Sequence, residues 1–429
     1  MYFPFSYRPI SLCSCLGKLL EKIVNNQLVM FLNINNKLSK DQHGFTIGRS
    51  TVTNLIACNS AISDIMSTGH SFDIISFDFK AAFDKAPHRF VIDALRAMDI
   101  SGIPLQWFAS FLANRTEQVK VGESYSRLCD VRSGIIQGSI CGPALYTVLS
   151  DSLHRRIKSR SWAFADDFKF ISDVTIQPRD TIQDDIDSIV CWSVELMMPL
   201  SLDKCAVMHC GKNNPRYAYH IGDSPMPCVE SFRDLGVMRC SDGRNTSHCQ
   251  AVCNKASKLA GAIRHIFQSR APQLMWPAFL FYVRPIVMYA SQAWSPALLC
   301  DINLVEKIQK RFSKCISGLH DLSYVERLRA LNALSLRNAR IQADLIFAYK
   351  ATHGLINYSA SDLGLNIVSS HTRSDGMRLV QQRAVSRTHA GLFSVRVPSQ
   401  WNKLPTSITA CRTLFAFKRS LFKFLSASQ

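Results

Sequence analysis

Ser161-Trp162-Ala163-Phe164-Ala165-Asp166-Asp167-Phe168-Lys169-Phe170-Ile171-Ser172 sets two adjacent carboxylates between apolar and aromatic runs. Such runs read as two short strands, 162–165 and 168–171, joined at the aspartates. Neighbouring carboxylates at the tip of an apolar hairpin repel one another and lose hydration, and a divalent cation neutralises them efficiently. Taken alone, the pair is equally an ordinary acidic turn. Working outward, residues 72–79 are apolar and β-branched and deliver Asp78 near their end, so they read as a buried strand with an emerging acidic end. Asp78 with Asp166 and Asp167 makes an all-oxygen ligand set suited to magnesium, which keeps water and takes substrate phosphate as further ligands. Two such ions clamp the attacking and leaving oxygens of an in-line phosphoryl transfer.

Around this centre the periodicity is mostly helical. Residues 16–32 carry apolar side chains at three-four spacing, and 50–66 repeat the pattern. A helix is expected from about Pro87, with Asp84 as its cap and Gly102 beyond its end, and a second over 104–112. Residues 117–121 and 125–131 read as strands joined through Gly122, and 133–142 as a loop opening a helix to about Ile157. The longest apolar stretch, 272–294, is broken by Pro277, Arg284 and Pro285, which favours a buried helical hairpin over a membrane span.

With 429 residues, 47% hydrophobic and 19% charged, the chain is a globular protein of two or three packed subdomains. Residues 1–230 hold 23 basic and 23 acidic side chains, whereas 231–429 hold 27 and 9, so the whole net charge of +18 belongs to the C-terminal half. Such a surface attracts polyanions, nucleic acid foremost, although an indifferent basic surface reads the same on charge alone. The fifteen cysteines are an odd number without a C-x-x-C pair and read as reduced thiols of an intracellular protein. His248, Cys249 and Cys253 lack a fourth ligand at zinc-knuckle spacing.

Three segments in order, Phe77-Asp78-Phe79-Lys80-Ala81-Ala82-Phe83-Asp84, Ser133-Gly134-Ile135-Ile136-Gln137-Gly138-Ser139 and Phe164-Ala165-Asp166-Asp167, resemble the palm motifs of reverse transcriptases. Tyr7-Arg8-Pro9-Ile10-Ser11-Leu12, Gln42-His43-Gly44-Phe45, Leu200-Ser201-Leu202-Asp203-Lys204-Cys205 and Phe232-Arg233-Asp234-Leu235-Gly236-Val237 are similar to the remaining blocks of that family. Tyr282-Val283-Arg284-Pro285-Ile286, Trp294-Ser295-Pro296 and Trp401-Asn402-Lys403-Leu404-Pro405 resemble the thumb and tail of Jockey-like, LINE-type non-LTR retrotransposon enzymes. The resemblance implies an α+β right-hand polymerase, here truncated at its N-terminus: partial fingers (1–70), a palm with an antiparallel sheet (71–240), a helical thumb (241–330) and a basic helical C-terminal region (331–429).

It also implies an RNA-directed DNA polymerase that takes an RNA template, a DNA primer and deoxynucleoside triphosphates, with two Mg²⁺ ions for which Mn²⁺ substitutes. Asp78, Asp166 and Asp167 match the metal-binding aspartates. Phe79 and Phe83 fall beside the substrate, Phe83 as the gate that strikes a ribose 2′-hydroxyl, with core packing as its alternative. Gln137 and Gly138 match the loop against the incoming nucleotide, in which Ile136 replaces the usual proline. Arg8 matches the triphosphate-holding arginine of the fingers, or is a surface arginine. Lys204 matches the lysine that protonates departing pyrophosphate, or is a surface lysine. Thr46 stands where a basic residue is frequent and Asp203 where asparagine is usual. Residues 232–237 match a primer grip, and Lys255, Lys258, Arg264 and Arg270 are candidate contacts to the nucleic-acid backbone, while Phe267 and Trp276 read as helix packing. The resemblance places such a protein in the cytoplasm and nucleus, away from membranes, with an endonuclease supplied elsewhere. The alternative from another class is a catalytically inactive nucleic-acid-binding relic; a nucleotide cyclase, needing no duplex clamp, fits the Gln137-Gly138 loop and basic thumb less well.

Overall fold

The computed structural model describes residues 10–368 and 377–428. In chain order the elements are α1 (Cys15–Ile34), α2 (Thr51–Ser67), β1 (Phe72–Phe77), α3 (Ala82–Lys85), α4 (His88–Ala97), α5 (Gly102–Leu112), β2 (Arg115–Glu117), β3 (Lys120–Val121), β4 (Ser124–Tyr125), β5 (Cys129–Val131) and α6 (Gly142–His154). There follow β6 (Arg160–Phe164), β7 (Asp167–Asp173), α7 (Arg179–Glu195), β8 (Ala206–Cys210), β9 (His220–Ile221), β10 (Ser224–Pro225), β11 (Ser231–Asp234) and β12 (Val237–Cys240). The rest is helical: α8 (Thr246–Ile266), α9 (Pro272–Ala278), a π-helical turn (Phe279–Val283), α10 (Arg284–Met288), α11 (Ser291–Trp294), α12 (Leu299–Lys314), α13 (Tyr324–Ala330), α14 (Leu336–Thr352), α15 (Arg387–Ala390), α16 (Phe393–Trp401), α17 (Thr406–Thr409) and α18 (Leu414–Ala427). The fold is α+β, as expected.

Compactness divides the described residues into two units, 10–47 with Phe72–His209 and Asn214–Val229, and Gly48–Ser71 with Cys210–Asn213, 230–368 and 377–428. This differs from the linear division read from sequence. Helix α2, placed there among the fingers, is buried along most of its length and packs with α11, α15 and α16 of the second unit. The segment 230–240, placed there in the palm, also belongs to the second unit.

The first unit is built on a four-stranded sheet in the order β6-β7-β1-β8, in which β7 runs antiparallel to both β6 and β1. Phe77 lies opposite Phe168 and Phe164 opposite Asp167. Alternation sends Ile75 and Phe77 of β1, and Phe79 just beyond it, into the core with Phe168 and Phe170 of β7, and turns Asp78 to the other side. Helix α6 is buried almost all round, including Thr147, Ser150 and Asp151, whose carboxylate pairs with Arg155, and it packs with α1 and α4 beneath this sheet. Gly102 lies beyond the end of α4, as expected, and opens α5; Asp99, in the left-handed region, makes the turn out of α4.

The second unit buries one face of α8 against α12, with α9, the π-helical turn and α10 completing the core. The helical hairpin expected over 272–294 is instead one nearly continuous run to Met288, a turn at Tyr289 and Ala290, and the short α11. Pro285 has no N–H to return to the carbonyl four residues back, and the widened π-helical turn stands immediately before the residues that precede it. Nor is that run wholly buried, because Phe281 and Tyr282 are exposed. Among the described residues no helix is long and apolar enough to cross a membrane.

His154, at the end of α6, rests its ring on Phe168 at 5.2 Å and shares a hydrogen bond with Ser161. Burial pushes its pKa down from 6.5 to about 4. Between those values the unfolded chain binds the proton and the folded one does not, so stability is lost as pH falls from 6.5 towards 4. Thermal melts across that window should show the midpoint falling, and His154→Phe, which keeps a ring on Phe168 without a titrating group, should flatten the slope.

Candidate active site

The β6–β7 connection is a two-residue turn, Ala165–Asp166, between the paired Phe164 and Asp167. Of the two, Ala165 alone has positive φ, +58°, a conformation that glycine adopts more readily than alanine. Segment 41–44 braces this turn. His43 donates its backbone N–H to the Ala163 carbonyl at 2.8 Å and Asp41 accepts from Ala163 N–H at 2.9 Å, covering the outer edge of β6. The Gln42 side chain accepts the backbone N–H groups of Gly44 (2.8 Å) and Ala165 (3.1 Å). A Cβ on Gly44 would run into the Ala165 backbone nitrogen, so that position admits only glycine without displacement.

Asp78 follows the last residue of β1, and the ladder continues beyond it: Ser201 N–H donates to its carbonyl at 2.8 Å and Phe79 bridges Leu200. The register therefore sets the end of β1 beside the acidic turn. Tyr146 of α6, buried beneath, senses the result. Its phenol is held well above the usual range, chiefly by burial and then by the negative charge of Asp166, Asp167 and Asp78. Lys204 brings Nζ to 3.3 Å from Asp78 Oδ1.

Phe83 is half-buried and stacks on Tyr146 with centroids 4.5 Å apart, its edge towards Phe45 at 5.9 Å. Phe79 does not join the site: its ring is buried against Trp192 at 5.4 Å. Its position one residue from Asp78 on a strand accounts for that, since successive side chains take opposite faces. Asp84 likewise departs from expectation. It lies within α3 and accepts from Gln137 Nε2 at 2.7 Å, while Pro87 occupies the N-cap of α4.

The loop carrying Gln137 is pinned along its length. Gly134 N–H donates to Ala86 (2.8 Å) and Ile135 N–H to Phe83 (2.7 Å). Arg115 donates to the Gly134 carbonyl at 2.6 Å. Ser11 N–H donates to the Gln137 carbonyl at 2.8 Å, and Gly138, with φ +108°, passes so close that a Cβ would stand 2.8 Å from the Ser11 oxygen. Arg8 lies outside the described residues. Glu21, which the sequence reading passed over, is a buried carboxylate on α1 that accepts Ile140 N–H (2.7 Å) and Cys141 N–H (3.3 Å) at the start of α6. Burial and this carboxylate push the Cys141 thiol up to about 12. The signal available in the sequence was an acid among the apolar residues of α1.

In the second unit, residues 232–237 form a hairpin of β11 and β12, and Tyr289 Oη donates to the Leu235 carbonyl at the turn (2.9 Å). Lys255 and Lys258 stand one turn apart on the exposed side of α8. Arg264 does not share their face: nine residues beyond Lys255 it lies about half a turn round, where it reaches Cys315 Sγ at 3.6 Å. Arg270, beyond the helix, turns back to the Phe267 carbonyl at 2.9 Å. His248 and the thiols of Cys249 and Cys253 are buried, and burial raises both thiols, to about 12 and about 11. His248 Nδ1 accepts the Met238 N–H and its ring packs on Trp294.

A model of the family described as reverse transcriptase (RNA-dependent DNA polymerase) matches residues 4–239, more than half the chain. The chain belongs to the reverse transcriptases. The probable RNA-directed DNA polymerase from transposon BS of Drosophila melanogaster is 24% identical over 342 residues, which cover 73% of this chain and 36% of that protein. The RNA-directed DNA polymerase from mobile element jockey of Drosophila funebris is 21% identical over 345 residues with the same coverage. This reverse transcriptase chain thus spans about a third of the length of the curated relatives it matches. Among solved structures, telomerase from Candida albicans in complex with a fragment of telomeric RNA aligns over 74% of this chain and 58% of that one, at 11% identity and a TM-score of 0.42.

The donors at the β1 end and the acidic turn are all oxygens, and magnesium binds through one or two carboxylates while water and substrate phosphate complete its shell. Among the described residues no three His, Cys, Asp or Glu side chains are gathered so as to hold a metal ion by themselves. The fit of these residues to magnesium rests on the chemistry of the donors, carboxylate oxygens alone, with water and substrate phosphate left to complete the shell.

The bracing of the turn predicts opposite outcomes for two glycines. Gly44→Ala should destabilise by about 1–3 kcal/mol, because the intruding methyl meets backbone. Gly261→Ala, within α8 and facing open space, should stabilise by about 0.5–1 kcal/mol. Thermal denaturation of the two variants beside the parent chain measures both.

Proposed function

We propose that this chain is the polymerase portion of a non-LTR retrotransposon reverse transcriptase, extending a DNA primer on an RNA template. The observation that carries the reading is the strand register that brings Asp78, from a distant segment, beside the Asp166–Asp167 turn, next to which Phe83 stacks on Tyr146. Asp78, Asp166 and Asp167 would hold two Mg²⁺ ions, with Mn²⁺ able to replace them. When bound, the ions supply the positive charge that offsets the developing negative charge of phosphoryl transfer.

The side chains have separate tasks in this reading. The bond formed joins the primer 3′ oxygen to the α-phosphorus while its hydroxyl proton leaves to solvent, and the bond broken, from the α-phosphorus to the bridging oxygen, releases pyrophosphate. Lys204, already beside Asp78, donates a proton to the departing pyrophosphate. Phe83, stacked on Tyr146, excludes a 2′-hydroxyl, and Gln137, oriented by Asp84, lies against the incoming nucleotide. Arg8 would hold the triphosphate. Lys255 and Lys258 would follow the backbone of the primer–template duplex, with Arg264 and Arg270 on other faces touching it separately. Intracellular location, in cytoplasm and nucleus, and an endonuclease from elsewhere belong to the same proposal.

Purified chain should extend a primer on RNA only with Mg²⁺ or Mn²⁺. Asp166→Asn should lower synthesis at least about 10³-fold, the scale of removing a transition-state charge partner, with primer–template affinity unchanged. Robust synthesis by this variant would sink the site assignment, and binding without synthesis in the parent chain would favour the relic. Phe83→Ala should admit ribonucleotides; an unchanged preference would return Phe83 to core packing.

Neutralising both Lys255 and Lys258 to Gln should weaken duplex binding and reduce its log–log salt slope by about 2, one for each phosphate that no longer meets a lysine. Filter binding between about 50 and 200 mM salt reads the slope, and no change would remove α8 from the duplex interface.

A further inference from the structure

We infer that Gln42 is a positioning residue that sets where the Asp166 carboxylate stands, by clamping the backbone of Ala165. The inference rests on Asp166 being a metal ligand, as proposed above, but its geometric half stands apart from that reading.

Gln42 is 1% exposed, so an unmet side-chain amide there would be costly. Its Oε1 receives two backbone N–H groups, from Gly44 and Ala165. Both donors converge on one atom, which fixes the amide orientation, because the reverse would set an NH₂ against two N–H groups. Nε2 then faces the Ala165 carbonyl at 3.4 Å, so one amide addresses both polar groups of the same residue. That residue is the left-handed alanine immediately before Asp166. Alanine does not hold this conformation by preference. The clamp, with Gly44 pressed against the Ala165 nitrogen, selects it from outside the turn. A change of Ala165 towards ordinary backbone angles would re-aim the next side chain, which is Asp166.

The clamp acts through Ala165 and touches no reacting atom, so its test needs readouts that general loss of folding would not produce. The full chain and Gln42→Met are compared by amide hydrogen exchange across 163–167 and by Mn²⁺ affinity from electron paramagnetic resonance. Exchange at Ala165 should accelerate while the β1–β7 amides stay protected, and Mn²⁺ affinity should fall about 10-fold, the scale on which outer supports of metal ligands act. Adding Ala165→Gly, which reaches positive φ without strain, should recover a good part of that affinity in the Gln42→Met background. If Gln42→Met fails to fold, Gln42→Asn, one methylene shorter and still an amide, should show the same pattern. Unchanged exchange at Ala165 overturns the clamp. Faster exchange with unchanged Mn²⁺ affinity overturns its effect on Asp166. If the parent chain takes up no Mn²⁺, the metal reading of the site fails, and exchange alone then decides whether the clamp exists.

Discussion

The pairing of β7 with both β1 and β6 is the constraint on which the chemistry depends. A strand has a side-chain period of two, so a slip of one residue on either side of β7 would exchange carboxylate for aromatic at the end of the sheet. With Phe77 opposite Phe168, the rings fill the core and Asp78 emerges beside the acidic turn. The same register that buries Phe77, Phe168 and Phe170 therefore aligns the aspartates, and hydrophobic burial enforces an electrostatically unfavourable grouping. The outer edge of β6, otherwise a row of unpaired backbone groups, is covered by residues 41–43.

Around this centre Phe83, Gln137, Asp78 and Lys204 keep solvent exposure, whereas the polar side chains that hold the backbone are buried. Gln42 and Glu21 are polar groups almost without solvent contact, each with its accepting oxygen directed at two backbone N–H groups. Leaving either pair of donors unmet would cost more than the bonds contribute when made. Glu21 thus ties α1 to the start of α6 much as Gln42 ties segment 41–44 to the turn. Tyr146 does both kinds of work: it belongs to the core, and it lies in contact with Phe83 and within the field of three carboxylates.

Much of this was legible because it is local or periodic. The β6–β7 hairpin, β1 and the main helices follow from apolar spacing, and the order of the acidic segments pointed to their joint chemistry. Phe79 was misplaced even though the alternation that sends Asp78 outward also sends its neighbour in; a motif was read as a block where a strand required it to be split between two faces. The four cations were grouped by proximity in sequence, whereas helical angle separates Arg264 from Lys255. Asp84 is a different case. Its partner Gln137 lies 53 residues away, and no local pattern distinguishes a helix cap from a long-range hydrogen bond. The membership of α2 in the second unit is nonlocal in the same sense.

The Lys204–Asp78 pair shows why exposure matters as much as distance at such a site. A buried lysine beside a ligand carboxylate would be a fixed competitor for a cation, since removing it would strand a charge. Lys204 is 60% exposed at its side chain and Asp78 27%, so their attraction is screened and the pair is weak. Such a partner offsets repulsion among the aspartates and gives way at little cost when stronger charge arrives. In the proposed reaction its flexible stem would let the ammonium follow a phosphate oxygen instead. The excess positive charge is held elsewhere in the sequence, with residues 1–230 neutral and all +18 beyond them. Attraction for a polyanion and affinity for a divalent cation make opposite demands on local potential. The two demands fall on different stretches of the sequence, a neutral one that carries the aspartates and a basic one that follows it.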